Sequence, residues 1–162
     1  MKTMNTIILL LSFLITIGCQ MNRADSERLA SYLEKLGFKH NPDFLLAKVI
    51  IFVTCGVKQS AEDRIHGLIN QIFKNNKKTV IVVTGCLSER DDLQKSLGER
   101  VKIWFNISDL LNLDKRLIKF FPKIKLIKNK KKSYLDLKAD YSSSFSAFVP
   151  IGNGCNNFCS YC

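Results

Sequence analysis

Apolar positions follow two rhythms that alternate along the chain. Largely unbroken apolar runs, rich in β-branched residues, occupy residues 13–17, 48–53, 79–83 and 101–105, and each is followed by apolar residues at helical spacing. Runs without polar alternation suit strands buried on both faces of a parallel sheet. The clearest helix is 60–74, where Ile65, Leu68, Ile69, Ile72 and Phe73 fall at i, i+3, i+4, i+7 and i+8 and form one apolar stripe. Another spans 25–36, with Leu29, Leu33 and Leu36 on one face and Gly37 as its stop. A short helix is expected at 88–97. A fourth is expected from a Ser108 cap through residue 120, stopped by Pro122. Turn residues separate strand from helix at 18–22, 54–56 and 84–86.

Strand–helix alternation of this kind predicts an α/β fold, doubly wound around a mainly parallel, flavodoxin-like sheet. Residues 12–121 make up this unit, behind an apolar extension at 1–11. Residues 122–144 read as a basic linker ending in Ser142-Ser143-Ser144. Residues 145–151 are again strand-like and open what reads as a second domain over 145–162, so a boundary is expected near Ser142.

Composition changes the picture only locally. The 46% apolar and 24% charged residues are those of an ordinary globular chain and exclude general disorder. The net charge of +11 is concentrated: between Lys115 and Lys138 ten basic residues face one acid, Asp136. That stretch is either an RNA-contacting arm or a solvated spacer, and its sparse aromatic residues favour the spacer. His40 and His66 stand without acid–base partners in sequence, Trp104 fits a strand core, and no glycine-rich phosphate loop is present.

The cysteines carry the candidate chemistry. Cys19, Cys55 and Cys86 each follow a predicted strand, at intervals of 36 and 31 residues, about the length of one βαβ unit. Loops after parallel strands emerge at one edge of the sheet, so the three converge if the fold is right. Singly, each also fits a small buried residue near a strand end. Residues 7–17, following Lys2 and ending at Gly18-Cys19, also read as a bacterial lipoprotein signal whose cysteine would be acylated. That reading leaves Cys55 and Cys86 unexplained.

At the end of the chain, Cys155, Cys159 and Cys162 form C-x3-C-x2-C. Three thiolates so spaced can hold three corners of a [4Fe–4S] cluster and leave one iron open. Tetrahedral zinc would want a fourth Cys or His nearby.

Gly18-Cys19-Gln20-Met21-Asn22 with Asp25-Ser26-Glu27, then Thr54-Cys55 with Ala61-Glu62, Gly85-Cys86, and 154–162 resemble the radical-SAM methylthiotransferase family in order and spacing. The resemblance covers roughly residues 12–162. Within the family, the motifs most resemble the enzymes that add a methylthio group to N6-isopentenyladenosine beside the tRNA anticodon. The sister activity on an aspartate of a ribosomal protein is the alternative, and a non-enzymatic membrane lipoprotein is a third reading. The resemblance implies that Cys19, Cys55 and Cys86 hold an auxiliary [4Fe–4S] cluster. Cys155, Cys159 and Cys162 would hold the cluster that binds and cleaves S-adenosylmethionine, with Tyr161 packed near that cofactor. It further implies a tRNA anticodon stem-loop as partner, an electron donor such as flavodoxin or ferredoxin, a cytoplasmic location and no stable membrane association. No catalytic residue is assigned. The radical-SAM barrel and RNA-binding module of the family are expected beyond Cys162, so these residues alone are expected not to turn over. Leu87-Ser88-Glu89 replaces the family's usual Met-Ala-Gln, and Met4 is an alternative start.

Overall fold

A computed structural model describes residues 10–56, 59–128, 130–152 and 157–160. Its elements are β1 (Leu10–Ile17), α1 (Gln20–Lys35), β2 (Phe38–His40), β3 (Val49–Thr54), α2 (Gln59–Asn75), β4 (Val80–Gly85), α3 (Asp91–Leu97), β5 (Ile103–Trp104) and α4 (Leu113–Leu117). All strand pairs are parallel, in the order β2-β1-β3-β4-β5. This is the flavodoxin-like doubly wound order, in which the chain reverses direction across the sheet between β1 and β3.

Alternate residues of the central strands supply two separate cores. Val49, Ile51 and Val53 of β3 and Val80 and Val82 of β4 pack with Leu29, Tyr32, Leu33 and Leu36 of α1. Ile50, Phe52, Ile81 and Val83 face the other way, onto Ile65, Ile69 and Ile72 of α2 and Leu93 and Leu97 of α3. Period-2 strands meeting period-3.6 helices on both faces account for the apolar runs. Burying each such isoleucine contributes about 2 kcal/mol.

The first strand begins at Leu10 and not at residue 13, so Leu10 and Leu11 of the apolar extension belong to the sheet. Leu10 and Leu14 pack partly against one core and Phe13 and Ile15 against the other, so β1 is apolar on both faces, which is why 10–17 imitates a signal sequence. Cleavage before Cys19 would remove β1 from between β2 and β3, which argues against the lipoprotein reading. Among the described residues, no helix is long and apolar enough to cross a membrane.

Other differences have local causes. Helix α1 starts at Gln20, five residues early, because Cys19 caps it and Asn22 reaches back in a capping box. The edge strand β2 is three residues long, too short to show a period. The expected helix 108–120 is a 3₁₀ segment (Ile107–Asn112) running into the brief α4, and its cap is Asn106, whose side chain accepts from the Ser108 N–H. Residues 145–151 form no strand, and Phe145, Val149 and Ile151 are exposed. An extended segment without a neighbour to take its backbone hydrogen bonds is not a strand. The lysine-rich stretch is solvated only on its lysine side: Ile124, Tyr134, Leu137 and Ala139 are buried, all but Ala139 within the α1-side core.

Candidate functional site

Register brings the cysteine loops together. Ile17, Thr54 and Gly85 stand side by side at the carboxyl ends of β1, β3 and β4. Cys55 and Cys86 are the next residues on their strands, and Cys19 is two past Ile17. Neighbouring strands lie ~4.8 Å apart, so three adjacent strand ends span roughly 10 Å. The Cys55 N–H donates to the Ile17 carbonyl at 3.0 Å and carries the β1–β3 pairing into the loops.

Glycines let these loops close on one another. A side chain at Gly18 would begin 2.9 Å from Cys55 Cβ, and one at Gly56 would begin 3.2 Å from Cys86 Cβ. The first two loops therefore each carry a glycine facing the cysteine of the next. Gly85 is required more strictly: its φ is +93°, and a Cβ there would lie 2.2 Å from the Thr54 carbonyl oxygen.

Asn22 ties two of these loops, a role that sequence reading missed. It is 3% exposed. Its Oδ1 accepts from the Cys19 N–H at 3.1 Å and from the Cys19 thiol at 3.3 Å, and its Nδ2 donates to the Thr54 carbonyl at 3.1 Å. The Thr54 hydroxyl donates in turn to the Thr84 carbonyl at 2.7 Å. A line of side-chain bonds thus runs across the three strand ends just below the cysteines. The spacing Cys19-x-x-Asn22 is the capping-box spacing and was the signal available in the sequence.

Above this line lies a cavity of about 630 Å³, lined among others by Cys19, Cys55, Arg23, Arg64 and Phe148. It opens at the crevice between β1 and β3, where open α/β sheets bind their ligands. Cys55 is buried, and Cys19 and Cys86 are exposed. Cys19 and Cys55 face the cavity, and Cys86 stands behind Gly56. Among the described residues, no group of three or more His, Cys, Asp or Glu side chains is arranged to hold a metal ion. In donor type alone the edge suits an iron–sulfur cluster: two soft thiols line the cavity, a third stands behind Gly56, and no carboxylate or imidazole lines it with them. The amino end of α1, which has no acid in its first turn, adds positive potential suited to an anionic group.

Of the second cysteine group only Cys159 is described, and it is exposed. Cys155, Tyr161 and Cys162 lie outside the described residues. His40 stacks on Phe13 with ring centroids 5.8 Å apart, and Trp104 packs at the edge of the α2-side core.

Beneath α1 lies a buried polar group of Asp25, Glu27, Arg28 and Tyr134. Glu27 Oε1 accepts from the Ser142 N–H at 3.1 Å and its hydroxyl at 2.9 Å, anchoring the chain where it leaves the sheet unit. Burial raises the Asp25 pKa to about 6, while the nearby Tyr134 hydroxyl and the Arg28 charge pull the other way. Asp25 Oδ1 and the Tyr134 hydroxyl nonetheless have no partner in hydrogen-bonding geometry.

A family model described as uncharacterized protein family UPF0004 matches residues 12–106. The chain is 35% identical, over 93% of its own length and 36% of the relative's, to tRNA-2-methylthio-N(6)-dimethylallyladenosine synthase of Clostridium botulinum strain Hall. Proteins of the same name from Thermoanaerobacter sp. strain X514 and Clostridium perfringens strain SM101 are 33% and 34% identical over 91% of the chain. The chain spans about a third of the length of the curated relatives it matches, 36%, 33% and 35% of these three.

Proposed function

This chain belongs to the UPF0004 family, and we propose that it serves tRNA methylthiolation, adding a methylthio group to N6-isopentenyladenosine beside the anticodon. The observation that supports the proposal is that Cys19, Cys55 and Cys86 follow the ends of three adjacent parallel strands, at the edge where the sheet reverses. Cys19, Cys55 and Cys86 are the proposed ligands of one [4Fe–4S] cluster, and Cys155, Cys159 and Cys162 those of a second, with Tyr161 beside bound S-adenosylmethionine. When bound, these groups supply the radical and sulfur chemistry that side chains lack.

The chain's own residues bind, orient and space. Gly18, Gly56 and Gly85 bring the thiols to one edge, and Asn22 fixes Cys19 against the loop that carries Cys55. Glu27 holds Ser142, near which a second domain is proposed to begin. A flavodoxin or ferredoxin is the proposed electron donor, in the cytoplasm.

The test is iron and acid-labile sulfide on anaerobically reconstituted protein, beside a variant with Cys19, Cys55 and Cys86 all changed to Ala. The variant is expected to lose about one four-iron cluster's worth of both. Full retention by the variant, or no uptake by either protein, refutes the reading.

A further inference from the structure

We propose that Arg23 and Arg64 form an anion subsite at the mouth of the cysteine cavity, which takes a phosphodiester of a single-stranded RNA loop. The choice of RNA rests on the function proposed above. The subsite itself rests on how the arginines are used.

Four of the six arginines are engaged by protein oxygens. Arg28 donates to the Ala24 carbonyl, Arg90 pairs with Glu62 and Asp92, Arg100 bonds the Leu97 carbonyl and Asn70, and Arg116 pairs with Asp109. Arg23 and Arg64 are the two left, and both line the cavity. Among the described residues, neither guanidinium donates to a protein oxygen, and no carboxylate lines the cavity with them. The one acid in the first turn of α2, Glu62, is taken by Arg90. Arg23 from the first turn of α1 and Arg64 from the second turn of α2 therefore line one opening, with no ion-pair partner among the described residues.

The chemistry of that opening selects the ligand. A guanidinium presents a planar fork that matches the oxygens of a phosphodiester. The Arg23 guanidinium lies 5.9 Å from the centroid of Phe148, which also lines the cavity. Phe148 is half-buried, and arginine beside an accessible aromatic ring is a pairing with which proteins hold single strands, phosphate on one and base on the other. Both arginines are exposed. That places them to meet an incoming strand at the rim.

The test is fluorescence anisotropy of a labelled RNA hairpin with a single-stranded, adenosine-rich loop, titrated with the full chain over a range of KCl concentrations. Wild type is compared with Arg23→Gln/Arg64→Gln and with Lys125→Gln/Lys128→Gln, a control of equal charge change. The arginine variant is expected to bind about tenfold more weakly, and its log–log salt slope to fall by about 0.7, one phosphate's worth for a single strand. The lysine variant is expected to lose clearly less. No measurable binding by wild type, unchanged binding by the arginine variant, or an equal or larger loss in the lysine variant overturns the proposal. Iron and sulfide are measured on the same preparations. Their loss from the arginine variant would assign the arginines to the cluster and also overturn the proposal. Absence of uptake by wild type would instead strike the proposed function.

Discussion

Replacing Asn22 by Ala removes one side chain that makes three bonds, and the consequences are separable. The Cys19 N–H loses the acceptor that completes the capping box. A lost helix cap costs about 1 kcal/mol. The Thr54 carbonyl loses its amide donor at a buried position, which costs about 1–3 kcal/mol. The thiol bond is weak and adds little. The total is about 2–4 kcal/mol, a large share of the stability of an ordinary domain. Asn22→Asp keeps an acceptor for Cys19 but sets a buried carboxylate oxygen against the Thr54 carbonyl, so it should be no more stable than Asn22→Ala. Urea unfolding followed by circular dichroism reads all three proteins. Reconstituted Asn22→Ala should also hold less iron, because Cys19 is no longer fixed against the Cys55 loop. If both variants unfold within about 0.5 kcal/mol of wild type, the ordinary range for a surface change, and iron uptake is unaltered, the clasp does not organise the site.

Two further outcomes follow from the same geometry. The folded chain binds the Asp25 proton more tightly than the unfolded chain, since its pKa rises from 3.8 to about 6. The stability associated with protonated Asp25 is therefore complete below about pH 4 and is lost as pH climbs through 6. Asp25→Asn should gain on wild type by up to about 3 kcal/mol between pH 4 and pH 7 in urea midpoints, and a pH-independent difference would refute the assignment. At Gly85, where φ is +93° and a Cβ would strike the Thr54 backbone, Ala should destabilise by at least about 3 kcal/mol. At Gly98, where φ is +50° and ψ −134° with open space around it, Ala should cost about 1–3 kcal/mol through backbone strain alone. Equal melting temperatures for these two variants would show that the strand ends are not as closely packed as described.

The sequence by itself determined the class of fold, because burial on both faces leaves a direct trace in residue type. Unbroken apolar runs became β1, β3 and β4, and the stripe from Ile65 to Phe73 became α2, whose inner face is Ile65, Ile69 and Ile72. It also determined that three cysteines follow three strands, since strand–loop order is a property of the chain. Short and contextual elements left no such trace. β2 is held by its pairing to β1, and the apolar residues 145–151 find no pairing at all among the described residues. Tertiary structure alone decided how the loops meet. Which glycine faces which cysteine depends on register, and register is set between strands thirty residues apart. Only the fold showed that Asn22 reaches Thr54, that Glu27 holds Ser142 and that Arg23 and Arg64 line one opening. Periodicity records whether a residue is buried. It does not record what that residue touches, because contacts at long sequence separation exist only once the sheet has closed.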